Sequence, residues 1–391
     1  MSWNIPIIAE ATPPAPLSWK LWLALFFIFS SLLLLTCVFV YFLNLDAENY
    51  SFVLFLFIGE SVFFILLASL RIYRHSVVNT HYEAWVSERN ALHIEWQHWA
   101  QDVISVLSYS MLFPEKSCLS KRENKAEVQA RTSQTLLLST EGERPEKLKE
   151  IYSELLAPMR EILMRISQSS SIEVNFIYNA SSVSWPDFML AWRELGLKES
   201  VLSAPVYPGV NYCDSWNSWY KKNDSTVILA VIVQFHEGVA SDDCKGKASE
   251  SAAAWLISPS VSTSSAIKPQ AFLHRPLLSD KHSVPYSIKQ MADFQLCIFE
   301  AQEMWLSDLD QDECYTVIKS LCDNNIDTDT HTLDQNFFDL MMGTSGEITP
   351  WFVISAGIMA VREKQKAQLV CCGSDQHILF SLVSLPEHLS N

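Results

Sequence analysis

Two uninterrupted apolar runs open the chain. Leu21–Leu43 is 23 residues without a charge, and Phe52–Leu70 is 19 residues with a single one, Glu60. At about 1.5 Å per residue the first run reaches roughly 34 Å, slightly more than a hydrocarbon core, and backbone polar groups in hydrocarbon need internal partners. Both runs are therefore predicted to be transmembrane helices. Eight residues, Asn44–Ser51, join them, which makes the helices antiparallel neighbours. Trp19, Trp22, Tyr41, Tyr50 and Tyr73 sit near the run ends, where amphipathic rings prefer the interface. The first run is too long for a signal-peptide core, lacks a basic start and is followed by no small-residue cleavage site. Lys20 precedes the first span, Arg71 and Arg74 follow the second, and the loop holds Asp46 and Glu48 with no Lys or Arg. The positive-inside rule then predicts two spans with both termini cytoplasmic.

After the second run the period changes. No Gly or Pro occurs from Arg71 to Phe113, and Trp85, Leu92, Trp96, Trp99, Val103 and Leu107 form one helical stripe. That pattern predicts a juxtamembrane helix over 72–113, stopped by Pro114 and packed on the soluble domain or on a second copy. The predicted organisation is an N-terminal tail (1–18), a transmembrane hairpin (19–71), this helix, a polar linker (114–144) and a cytoplasmic α/β domain (145–391). Within the domain, Pro145–Ser167 reads as a helix broken at Pro158, Ile172–Tyr178 as an alternating strand, Ser184–Leu195 and Asn211–Lys221 as helices. Thr226–Phe235 is a strand buried on both faces. Ala252–Ile257 and Ala271–Leu277 are further strands. Helices are predicted over Ser287–Trp305, Asp310–Cys322, Thr332–Met342 and Thr349–Lys364, with Ala367–Cys372 and His377–Val383 as a closing hairpin. Strands interleaved with helices define a mixed α/β class.

Charge and cysteine usage narrow the function. A net charge of −16 excludes binding to nucleic acid through phosphate neutralisation, which needs clustered Lys and Arg. Eleven acidic residues face one basic residue, Lys319, between Ala301 and Pro350; this is a solvated face or a docking surface for a basic partner. Nine cysteines, with Cys371 and Cys372 adjacent and no CxxC pair, suit neither a disulfide framework nor zinc, and fit a reducing compartment.

Candidate chemistry is sparse. Glu60, near the middle of the second span, costs on the order of 2.5–3.5 kcal/mol there unless protonated or paired. It is predicted either to bond Ser30, Ser31 or Thr36 or to contact a partner's membrane helix, with a proton or ion path as a further reading. Trp85, Trp96 and Trp99 are the other candidate partner-contact residues. His93 and His98 lie five apart, so they share no helix face and form no zinc site. No Walker A, G-x-G-x-x-G, G-x-S-x-G or H-E-x-x-H sequence occurs, and no cofactor, metal or catalytic residue is assigned. Two polar clusters remain. His236, Glu237, Asp242, Asp243 and Cys244 follow the buried strand, where α/β sites form. Asp327, Asp329, His331 and Asp334 lack the Gly and Glu of a calcium loop and read as a turn before a helix.

Two resemblances bear on function. Glu83, Ala84, Trp85, Glu88, Arg89, Trp96, Trp99 and Ala100 behind a two-span hairpin resemble accessory inner-membrane proteins encoded beside bacterial type VI secretion systems. That resemblance implies a bacterial inner-membrane adaptor with membrane or secretion-system partners or a homo-oligomer, rather than an enzyme. The buried strand, then Ser249, Glu250, Ser251 and three alanines, then the closing hairpin resemble half of a thiolase-like condensing enzyme. No nucleophilic-Cys motif or paired His motifs of that family are recognised, which implies a degenerate scaffold. The expected function is thus a membrane-anchored accessory or adaptor protein; the alternatives are a membrane-tethered α/β enzyme and an immunity protein.

Overall fold

A computed structural model describes residues 3, 5–6, 9–42, 48–114, 135–138, 144–168, 170–178, 184–222, 226–236, 248–259, 267–327 and 332–386. The chain divides into two compact units: Pro6–Glu95, and Trp96–Asn391 together with Met1–Ile5.

In the first unit the apolar runs form α1 (Trp19–Phe42) and most of α2 (Glu48–Ala100). Both are long and apolar enough to cross a membrane, and their apolar surfaces face outward. Phe64 of α2 packs on Phe26 and Trp22 of α1, with ring centroids 5.0 and 5.8 Å apart. The residues before α1 run along α2: Trp85 Nε1 donates to the carbonyl of Ala9 (3.2 Å), and Arg89 pairs with Glu10 at 2.8 Å. The helix expected to reach Phe113 ends at Ala100. Val103–Leu112 is instead a strand, β1, whose residues through Ser108 are buried. The stripe reading fails there because a β-branched, alternating stretch also satisfies helical spacing over a few residues, and sheet pairing on both sides decides the outcome. The α/β domain consequently begins before the expected residue 145.

The second unit contains β1, α3 (Arg144–Leu156), α4 (Arg160–Ile166), β2 (Ile172–Tyr178), α5 (Trp185–Glu194), α6 (Tyr212–Tyr220), β3 (Val227–Gln234) and β4 (Ser251–Ser258). These are followed by β5 (Ala271–His274), β6 (Leu277–Asp280), α7 (Val284–Phe294), β7 (Ala301–Ser307), α8 (Gln311–Asp323), β8 (Asp334–Phe337), α9 (Phe338–Met342), α10 (Thr349–Lys364), β9 (Ala367–Gly373) and β10 (His377–Ser384). Pro158 breaks the α3–α4 helix through a short 3-10 turn, as its missing N–H requires. Two expected helices are corrected. Ser287–Trp305 breaks after Phe294, because Met304 and Leu306 face one side of β7 and Trp305 the other. Thr332–Met342 is β8 and the short α9, since β8 pairs in parallel with β7.

The strands form one sheet in the order β2-β3-β4-β1-β5-β10-β9-β7-β8, with β6 beside β10. Its two halves repeat one plan. In the first, β2 lies parallel to β3, β3 antiparallel to β4, and β4 antiparallel to β1. In the second, β7 lies parallel to β9, β9 antiparallel to β10, and β10 antiparallel to β5 and β6. The outer neighbour of β7 is β8; at the same place beside β2, Leu202 and Val206 form parallel bridges. The helices repeat too: α6 enters β3 as α10 enters β9.

Alternation along the strands sorts side chains into three cores. Ile228, Ala230 and Ile232 of β3 and Val370 and Cys372 of β9 face a central core with α6 and α10. Leu229, Val231 and Val233 face α3–α5, while Leu369 and Cys371 face α7 and α8. The result is five layers, helices–half-sheet–helices–half-sheet–helices. Adjacent Cys371 and Cys372 point to opposite faces, so they cannot act as a pair. Because α10 lies between two half-sheets, it is buried nearly all round.

Candidate functional site

The first turns of the two central helices meet the carboxyl ends of the parallel strands, where open α/β sheets place their sites. Asn211 caps α6, its side-chain oxygen accepting from the N–H of Cys213 (2.9 Å). The thiol of Cys213 therefore sits in the first turn of a helix whose Trp216 and Trp219 lie in the core. Burial, then the charge of Asp214, pushes it up to about 12, so it is a neutral thiol at rest. Trp351, in the first turn of α10, donates from Nε1 to the carbonyl of Val210 (2.8 Å) and packs its ring on Tyr212 at 4.9 Å. The two helix starts are thereby joined.

Around the start of α10 the chain is polar and tightly packed. Asp339 accepts from Ser307 Oγ (2.6 Å), Ser345 Oγ (2.6 Å) and the N–H of Asp308 (2.7 Å). Gly346 donates its N–H to Thr349 Oγ1 (2.6 Å) and lies so near Ala248 that a Cβ there would stand 2.5 Å from the alanine methyl. Gln234, Ser249, Ser251, Asp339, Thr344 and Thr349 line a small pocket, and Gln234 Oε1 and Thr344 Oγ1 are buried without a partner among the described residues. Its size suits about one water molecule.

Asp308, immediately after β7, has φ of 53°. This left-handed backbone is uncommon outside glycine, and such residues cluster at functional sites. The carbonyl of Asp308 lies against Gly373, where an added Cβ would stand 1.8 Å from the oxygen, so only glycine fits the β9–β10 turn. Burial first, then the charge of Asp339, raises the Asp308 carboxyl, with Lys281 opposing. A carboxyl held above its usual range is a candidate general acid or base. The linkage has a definite sign. With its folded-state value above the unfolded one, Asp308 favours the fold while protonated, and that contribution is lost as pH rises through the raised value. Asp308→Asn tolerates the left-handed backbone and removes the charge. It is expected to raise the melting temperature at neutral pH by roughly 1–3 °C, a small gain because Asp308 is exposed and solvent screens its charge. The gain should vanish as pH falls below the raised value; a melting series from pH 4 to 8 measures it.

The sequence candidates fall elsewhere. Both carboxylate oxygens of Glu60 are buried without a partner among the described residues; Ser31 and Thr36 bond carbonyls of their own helix instead. Trp85 touches the N-terminal tail. Trp96 and Trp99 pack together (5.3 Å), and Trp99 packs against Trp3 (5.7 Å), in the core beneath α7 and α8. His236 donates its backbone N–H to Glu250 Oε1 (2.9 Å), and its ring is paired to the carbonyl of Ala248. Glu237, Asp242, Asp243, Cys244, Asp329 and His331 lie outside the described residues, as does most of the linker. Asp327 accepts from the N–H of Leu333 (3.1 Å), a turn, but it leads into β8 rather than a helix. No metal-binding group of three or more His, Cys, Asp or Glu occurs among the described residues. The acidic run is not one surface: Glu303 is buried against Lys364, Asp310 and Glu313 form the capping box of α8, and Asp339 is in the site. Asn211, ahead of a predicted helix, was the one local sign of Cys213; Asp308 and Asp339 had none.

No family model matches the chain, and no curated protein does. Solved structures do. The oxazolomycin ketosynthase domain of Streptomyces albus JA3453 is 10% identical and superposes with a TM-score of 0.51, covering 72% of this chain and 95% of that one. OleA of Xanthomonas campestris with cerulenin (10% identical, TM-score 0.45) covers 74% and 98%, and 3-oxoacyl-acyl-carrier-protein synthase III of Aquifex aeolicus VF5 (9%, 0.43) covers 72% and 99%. The match spans both half-sheets, so the resemblance extends to the whole of such a chain and not half of it. The expected non-enzymatic accessory or adaptor protein is overturned by this finding, and the alternative α/β enzyme fits it. The unit Trp96–Asn391 has a thiolase-like fold.

Proposed function

We propose that the chain is a membrane-tethered enzyme acting on acyl groups carried as thioesters, with Cys213 as the acyl acceptor. The observation that carries this reading is the duplicated five-layer core, which sets one cysteine in the first turn of α6, one of its two central helices. One fold neighbour is a ketosynthase domain. In the proposed step the Cys213 sulfur bonds the thioester carbonyl carbon, the donor's carbon–sulfur bond breaks, and the donor leaves as a thiol carrying the proton lost by Cys213. A neutral thiol requires a base at that moment, and the amino end of α6 favours the thiolate. Lys20, Arg71 and Arg74 support a hairpin of two spans with the catalytic domain on the cytoplasmic side.

The test is the release of free coenzyme A from acetyl- and malonyl-coenzyme A by the full chain in detergent, with products read by mass spectrometry. Cys213→Ala is expected to reduce turnover at least about 100-fold, the scale of losing a nucleophile with its activation. Equal turnover in that variant would overturn the assignment.

A further inference from the structure

A second thiol is better partnered than Cys213. Cys297 lies in the 3-10 turn Leu296–Glu300, between α7 and β7. Its Sγ is 3.4 Å from Nδ1 of His274, and Nε2 of the same ring is 2.7 Å from Oγ of Ser384. His274 ends β5 and Ser384 ends β10, so two sheet strands fix the base and the group that orients it. With Nε2 protonated and donating to Ser384 Oγ, Nδ1 presents a lone pair to the thiol. Nucleophile, base and orienting group in that sequence are the general form of an activated nucleophile. His274 is fully buried and Cys297 is partly exposed. Leu296 and Phe299 on the same turn are 52% and 40% exposed, an apolar lip on the turn that carries the cysteine. Burial, then the charge of Glu300, keeps the thiol protonated at rest, at about 12, so its reaction depends on the base.

We propose that Cys297 is a site of covalent S-acylation, taking long-chain acyl groups from thioester donors independently of the α6 site. The proton of Cys297 passes to Nδ1 of His274, the sulfur bonds the carbonyl carbon, the donor's carbon–sulfur bond breaks, and the departing thiolate takes the proton back from the ring. The apolar lip receives the chain.

The experiment treats the full chain in detergent with palmitoyl-coenzyme A and, separately, acetyl-coenzyme A, in a Cys213→Ala background that removes the α6 thiol. Hydroxylamine-sensitive adducts are mapped by peptide mass spectrometry. Cys322 is the exposed reference thiol in the same molecule. Cys297 is expected to be acylated at least about 10-fold faster than Cys322, faster by palmitoyl than by acetyl donor, and His274→Gln to slow it by about 100-fold. Acylation of Cys322 at an equal or greater rate would overturn the proposal, as would an acetyl donor that matches palmitoyl. Should His274→Gln fail to fold, the Cys297-to-Cys322 ratio in the parent chain decides alone.

Discussion

Arg275→Ala is expected to remove about 3–5 kcal/mol of stability, the usual result of stripping one partner from a buried ion pair. Arg275 is 7% exposed. Its NH2 nitrogen meets Asp102 at 2.6 Å, Nε donates to the carbonyl of Trp99 (2.9 Å) and NH1 to Asn217 (3.2 Å). The guanidinium plane lies over Trp99, Trp216 and Tyr220, 4.1, 4.7 and 5.2 Å from their ring centres. One side chain thus ties the last turn of α2, the start of β1 and helix α6 together. Gln295 adds to the knot, donating to the carbonyls of Ala100 and Arg275 (2.9 and 2.8 Å), so the last residue of the long helix has its carbonyl satisfied. Arg275→Lys keeps the charge but loses the planar fork and the stacking, and should recover less than half of the loss. Asp102→Asn should cost less than Arg275→Ala, since the Asp102 side chain is 23% exposed and amide oxygen still accepts. Urea midpoints of the full chain in detergent, read by tryptophan fluorescence, measure all three. An unchanged midpoint in Arg275→Ala would show that Trp99 and Trp216 hold the junction alone.

What the sequence revealed follows from the range of each signal. Thr226–Phe235, Thr349–Lys364 and the closing hairpin were legible because a continuous Val/Ile run, a Pro at the helix start and a Gly-Ser-Asp turn are local marks. Ser184 and Asp310 announced their helices as caps. Val103–Leu112 was not legible, because its conformation is set by pairing with residues of β4 and β5 that lie 140 or more positions downstream. The strand β8, with one buried residue in four, exists through pairing with β7 and has no pattern of its own. The site suffers from the same range problem. Ser307, Asp339 and Ser345 meet only after β7 and the start of α10 are in place, and no spacing in the chain foretells their bonds. Cys297, His274 and Ser384 come from one turn and two strands, which is why no spacing in the chain marks the cysteine. Trp96 and Trp99 stand on a stripe that the sequence leaves open between the soluble domain and a second copy, and only the fold says that α7, α8 and Trp3 lie around them.

Trp351→Ala is expected to be as damaging, for a different physical reason. The side chain is fully buried at the middle of the central layer, with Tyr212, Trp219 and Trp255 at ring distances of 4.9, 5.6 and 5.5 Å. Truncating a core tryptophan costs about 3–5 kcal/mol through lost burial and the cavity left behind. The carbonyl of Val210 would also lose its donor, adding about 1–3 kcal/mol if no water reaches it. A domain of ordinary stability does not survive such a sum, so the variant is expected in aggregates or as an open, protease-sensitive form. Trp351→Phe retains an aromatic ring against Tyr212 but not the bond to Val210, and should fold with a lowered midpoint. That milder variant separates packing from site geometry. Since Val210 and Tyr212 lead into Cys213, freeing them should change the alkylation rate of Cys213 by iodoacetamide while that of exposed Cys322 stays constant. The shape of the unfolding curve carries a further consequence. One sheet runs unbroken from β2 to β8 through the β1–β5 pair, so Trp351→Phe should still unfold in a single transition at a lower denaturant concentration. Two transitions would mean that the duplicated halves are separate cooperative units joined chiefly through this tryptophan, and that the sheet pairing between them contributes little.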